Sequence, residues 1–134
     1  MSQVGAFQPQ GNTVSLTTNA TINTSNSVLI NSTALGVKYK PVQFRFLNVG
    51  TDIIWISAAQ TATGIVIPTP GTGGGNANYG TPQLAIPIYP LIVEVLTLQA
   101  WINACGGVAS DGFFLNNISP TASQTLHMTG GEGL

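Results

Sequence analysis

One histidine, one cysteine and four carboxylates are the side chains of this 134-residue chain most suited to acid–base, thiol or metal chemistry: His127, Cys105, Asp52, Glu94, Asp111 and Glu132. A Ser–His–Asp arrangement would use His127 as base, with Asp52 or Asp111 to orient it. The chain has no Gly-x-Ser-x-Gly elbow to strain and present a nucleophile. In the run TLHMT, Leu126 and Met128 share one strand face, while His127 joins Thr125 and Thr129 on the other, the setting of an exposed strand histidine. Paired carboxylates for glycoside chemistry would have to come from the four acids. Asp52 and Asp111 lie in Gly-containing turns, where Asp caps its own backbone, and Glu132 lies in a Gly-rich tail. Glu94 interrupts an apolar strand, as a solvent-facing or ion-paired residue does. One His, one Cys and scattered acids give no zinc or calcium spacing. Cys105 follows an apolar run, with no cationic neighbour in sequence to activate its thiol. The run GTGGG lacks the Lys-Ser/Thr ending and the following helix of a phosphate loop. The expectation is therefore a protein without catalytic residues, cofactor or metal.

Charged residues make up 5% of the chain, against roughly 25% in ordinary soluble domains. Three basic residues cannot line a phosphate groove, which argues against nucleic acid as partner. No apolar run approaches the ~18 residues of a membrane span; Leu84 to Leu98 is broken by Pro87, Pro90 and Glu94. The beginning MSQVGAFQPQGN lacks the basic region and apolar stretch of a signal peptide, and a single cysteine excludes an internal disulfide. Both point to folding in a reducing cytoplasm. A surface with so little charge resists association weakly, so it suits a protein that stays docked.

The elements that must carry such a surface read as strands. Residues 1–12 are polar with Gly5, Pro9 and Gly11, and form an expected extended arm with Val4 and Phe7 as anchors. Residues 13–134 form one expected domain. Val14 and Leu16 alternate with Thr13, Ser15 and Thr17, and Val28 with Ile30 marks another strand. In VQFRFLNVGTDIIWIS, Val42, Phe44 and Phe46 oppose Gln43 and Arg45. Asn48 to Asp52 are read as the turn of a β-hairpin whose return strand is Ile53 to Ser57. That strand is apolar on both faces, so Ile54 and Ile56 are candidates for a contact between copies, a two-fold dimer before a trimer because isologous pairs are commonest. The Gly/Pro-rich stretch 68–83 is expected to be a surface loop without regular structure, docking through Tyr79. Leu84–Ile88, Leu91–Leu98, Trp101–Ala104, Gly112–Ile118 and Gln124–Met128 continue the strand pattern. Eight to ten short strands predict an all-β antiparallel sandwich, with the jelly roll as leading topology.

The phrases FRFLNVGTDIIWISA, LIVEVL and LHMTGGEGL resemble the small cement, or decoration, proteins of tailed-bacteriophage heads. In that family an early strand of the type vRvxNxGtxxvwI leads to a middle strand with an acid between Val or Leu, then to a Gly-Glu-Gly tail. Arg45, Asn48, Gly50, Trp55, Glu94 and Gly130 to Gly133 match the outline, and the resemblance covers Val42 to Leu134. It implies a sandwich made in the host cytoplasm and bound to the outside of the virion. There it would hold neighbouring major capsid protein subunits together against packaged DNA. The alternative reading is a phage tail or receptor-binding module for carbohydrate, with Trp55, Trp101 and Tyr79 as recruits.

Overall fold

Side chains of an extended strand alternate between two faces, and that alternation decides which residues meet inside this protein. The computed structural model describes residues 7–36, 43–59, 62, 64–67, 69–70, 77–78, 85–97 and 112–132. Among them the strands are β1 (Gln8–Thr17), β2 (Asn26–Asn31), β3 (Gln43–Asn48), β4 (Ile54–Ala59), β5 (Thr69–Pro70), β6 (Ala77–Asn78), β7 (Ile86–Ile88), β8 (Val93–Thr97), β9 (Gly112–Ile118) and β10 (Thr125–Glu132). A single helical turn, α1 (Ser32–Leu35), follows β2. Asn31 caps it, its Oδ1 accepting the Ala34 N–H at 2.8 Å, and Leu35 is buried.

Two four-stranded antiparallel sheets pack face to face, one in the order β1-β10-β3-β8 and the other β2-β9-β4-β7. The pairing is nested: β1 with β10, β2 with β9, β3 with β8, β4 with β7. Phe44 and Phe46 of β3 and Leu126 and Met128 of β10 line the inner face of the first sheet. Ile30, Ile54, Ile56 and Leu115 line that of the second. Phe44 meets Phe113 across the gap edge to face, with ring centroids 5.5 Å apart.

Six connections cross from sheet to sheet, and four of them gather together: β1 to β2, β3 to β4, β7 to β8 and β9 to β10. They are bonded into one end of the sandwich. Thr18 N–H donates to Gln124 O (2.8 Å), Val49 N–H to Thr125 O (3.0 Å) and Leu91 N–H to Asn48 O (2.8 Å). The β1–β2 and β9–β10 corners exchange two further bonds, Asn23 N–H to Ser119 O and Ser123 N–H to Asn19 O.

The segment Val49–Ile53 is thus a corner between sheets, and the expected hairpin of β3 with β4 is not formed. Its polar groups are answered by side chains instead. Asn48, fully buried, donates from Nδ2 to Asp52 O (2.7 Å) and Ile88 O (2.9 Å), and its Oδ1 accepts the Gly50 N–H (2.8 Å). Gln124 Oε1 accepts the N–H groups of Thr51 (2.6 Å) and Asp52 (3.0 Å). A Cβ on residue 50 would collide with that Oε1, so glycine is required by the closeness of the amide.

Two more expectations change. Residues 8–12 of the expected arm belong to β1, with Gln8 opposite Glu132 and Pro9 opposite Gly131 before an irregularity that ends at Thr13. Gln8 and Pro9 pair with a sheet edge, which needs little apolar surface. Within the stretch 68–83, Thr69 and Pro70 pair with Asn78 and Ala77, giving a two-rung ladder where no regular structure was expected. The expected strand Trp101–Ala104 lies outside the described residues.

Replacing Asn48 by Ala strands two buried carbonyls and one N–H. We expect a loss of about 3 kcal/mol in urea unfolding. Gln124→Ala should behave similarly, while Ser15→Ala, exposed on β1, should stay within ~0.5 kcal/mol.

Candidate docking surface

The two outer faces of the sandwich differ. On the second sheet Ser57, Asn116 and Ile118 point away from the core by alternation, yet all three are buried, while Leu29 on the same face of β2 is exposed, so the chain covers this face in part. The segment after β4 lies close by, with the Ile65 N–H bonded to Ser25 Oγ (3.2 Å) and Ile65 buried. On the outer face of the first sheet Thr13, Ser15, Val93 and Val95 are exposed, Arg45, Leu47 and His127 are half-buried, and Thr129 is buried. Its register aligns Thr13, Thr129, Arg45 and Val95 in one row and Ser15, His127, Leu47 and Val93 in the next.

Apolar exposure concentrates where β7 turns into β8. Tyr89, Leu91, Ile92, Val93 and Val95 are all exposed, Leu91 at 76% and Val93 at 54%. Among the described residues β8 pairs only with β3, which makes it an edge strand of the first sheet as described. Val49, also exposed, sits in the adjacent corner, next to the Asn48 carbonyl that accepts the Leu91 N–H. Ile22 adds a further exposed apolar side chain on the β1–β2 corner.

The turn Tyr89–Ile92 is closed by a bond from Ile92 N–H to Tyr89 O (3.4 Å). Pro90 at its second position and a left-handed third residue are the pattern of a type II turn, whose third residue is usually Gly or Asn. Here that residue is Leu91, with φ of 61°. A left-handed leucine costs roughly 1–2 kcal/mol, and its side chain gains little burial in return. Backbone strain of this kind persists where function holds it. The ridge from Tyr89 to Val95 is therefore apolar, strained at its tip and mounted on the hydrogen-bonded corner of Asn48.

The sequence-derived contact residues fare differently. Ile54 and Ile56 are corrected: both are 0% exposed, inside the core between the sheets, so neither is available to a second copy. The other face of β4, with Ile53 and Trp55, is half-buried. Phe7 lies on the outer side of the first sheet, its ring 5.4 Å from the Arg45 guanidinium carbon and across Gly131, where a Cβ would strike it. Val4 and Tyr79 lie outside the described residues, as do Cys105 and Asp111.

No acid–base constellation is assembled from the described members of the first inventory. His127 points to the outer face, whereas Glu94 pairs with Phe46 and points to the inner one. The Asp52 carboxylate is occupied as a corner brace, accepting from Ile53 N–H (2.7 Å) and from Thr121 Oγ1 (2.6 Å). Among the described residues no three His, Cys, Asp or Glu side chains gather as metal ligands. Sequence reasoning passed over the ridge itself. Its signal was present in YPLIVEVL, where consecutive Leu, Ile and Val follow a proline and cannot all face one core.

The core and ridge assignments separate in one experiment. Ile56→Asp places an unpaired charge between the sheets and should cost at least 3–5 kcal/mol, abolishing the folded near-UV circular dichroism signal. Leu91→Asp should leave the thermal midpoint within about 2 °C, because the site is in water and Asp tolerates the left-handed region. Comparisons of the chain with protein-family models, with curated proteins and with solved structures return no match, so this surface is read from its own geometry.

Proposed function

We propose that this chain is a jelly-roll cement protein that adheres to the outer surface of a tailed-phage head and bridges neighbouring major capsid protein subunits, without catalysis. The nested strand order supports the topology, since two four-stranded sheets paired first-with-last are how a jelly roll is wound, and jelly rolls recur in viral capsid and lectin domains. The resemblance of FRFLNVGTDIIWISA, LIVEVL and LHMTGGEGL to head-stabilising proteins supports the partner. The observation that carries the reading is Leu91, a residue that strains the backbone in order to hold an apolar side chain in solvent.

The mechanism follows from stiffness. A specific contact buries on the order of 1,200–2,000 Å², and association costs less when the contacting groups are already ordered. The corner bonds keep Tyr89–Val95 in place before contact, and the near absence of charge removes repulsion from a neighbouring subunit. A copy touching two capsid subunits gains avidity, because its second contact forms at high effective concentration. Self-association belongs to the same reading, and the edge of β8 that no described strand pairs with is its candidate element, in place of Ile54 and Ile56.

Leu91→Gly tests this directly. Glycine relieves the left-handed strain, so the free protein should gain about 0.5–1 kcal/mol. Binding to heads assembled from the major capsid protein of the same genome, measured by co-sedimentation, should weaken at least tenfold. Equal binding by the variant, or no binding by the unaltered chain, would contradict the proposal.

A further inference from the structure

The outer face of the first sheet holds a pocket of about 390 Å³ lined by Thr13, Arg45, Leu47, Val93, His127 and Thr129. Arg45 and His127 are two of the few cationic or potentially cationic side chains in the protein, and the register puts them on neighbouring rows of one face. Neither makes an ion pair or hydrogen bond with another described residue; the contact Arg45 does make is with the Phe7 ring, 5.4 Å away. That contact draws on the positive charge and consumes no N–H donor in a hydrogen bond. The Thr13 and Thr129 hydroxyls lie 2.8 Å apart. One proton joins the two oxygens; with the buried Thr129 as donor, the exposed Thr13 hydroxyl keeps its own proton to donate outward. The remaining lining, Leu47 and Val93, is apolar.

We infer that this pocket is a carboxylate site that receives an acidic side chain, Asp or Glu, presented by a protein partner. A guanidinium fork matches a carboxylate with two parallel hydrogen bonds. Imidazole and threonine donors beside it suit the same anion, and none of the described side chains lining the pocket is acidic. The apolar walls fit the methylene stem of an acidic side chain better than a bare inorganic anion. The pocket is continuous with the ridge, because Val93 belongs to both. A partner seated on Tyr89–Val95 therefore brings its own surface over Arg45. The inference rests on the docking reading for the nature of the partner, and its ligand chemistry is testable without the particle.

The experiment is an NMR titration of the full chain, following the His127 ring protons and the Arg45 Nε–H. The probes are glutamate capped at both ends, capped glutamine and glucuronate. Capped glutamate should shift these signals saturably, with Kd on the order of 1–10 mM for a ligand of its size. Capped glutamine should not saturate, and glucuronate should bind at least fivefold more weakly. Arg45→Gln and Arg45→Lys, checked for an unchanged fold by their amide spectra, should each weaken capped glutamate at least fivefold. Equal response to capped glutamine, tighter binding of glucuronate, or no saturation of capped glutamate by 100 mM overturns the inference. If capped glutamate binds as expected and heads are not bound, the carboxylate site stands and the docking reading fails. If Leu91→Gly releases the protein from heads while the pocket ignores capped glutamate, docking stands and the carboxylate site fails.

Discussion

The amides of Asn48 and Gln124 hold the corner at which the chain leaves one sheet for the other. A corner exposes backbone groups that neither sheet can pair, and a buried unpaired group costs about 1–3 kcal/mol. Asn48 answers three of them, with Asp52 O, Ile88 O and Gly50 N–H as partners. Gln124, arriving from the last connection, answers the next two N–H groups. Ser119 Oγ completes the set by donating to Ile53 O at 2.8 Å. The corner thereby ties three parts of the chain that are distant in sequence. It also consumes Asp52, whose two carboxylate oxygens are both engaged in the brace.

Rigidity at this end is what gives the neighbouring ridge its use. Leu91 hangs from the Asn48 carbonyl by its own N–H, so its left-handed backbone is held by the same residue that builds the corner. An apolar side chain on a loose loop would collapse onto the protein or lose entropy on binding. Under the proposed docking it would meet a partner already ordered. The outer face of the second sheet is covered in part by the chain, and the first sheet keeps Thr13 and Ser15 exposed on its outer face.

Alternation along the strands was legible, and for a plain reason. Phe44 with Phe46, and Leu126 with Met128, sit on single faces, and period-two patterns translate directly into inside and outside. The sheet to which a strand belongs was not legible. Asn48–Asp52 has the composition of a hairpin turn, and what makes it a corner is the amide of Gln124, 73 positions away from Thr51. Ile54 and Ile56 show the same limit: core and contact surface demand the same apolar side chains. Residues 8–12 read as an arm because they lack apolar content, whereas their order comes from backbone pairing with β10. Leu91 was hidden because left-handed positions are recognised by Gly or Asn, and here neither marks it.

The central claim is that the corner end and the β8 edge face the partner. Electron cryomicroscopy of heads decorated with the full chain tests it most directly. The account places Tyr89 to Val95 against the major capsid protein, with the α1 end of the sandwich turned to solvent. A reconstruction with Leu91 in solvent and the α1 end on the shell would contradict it.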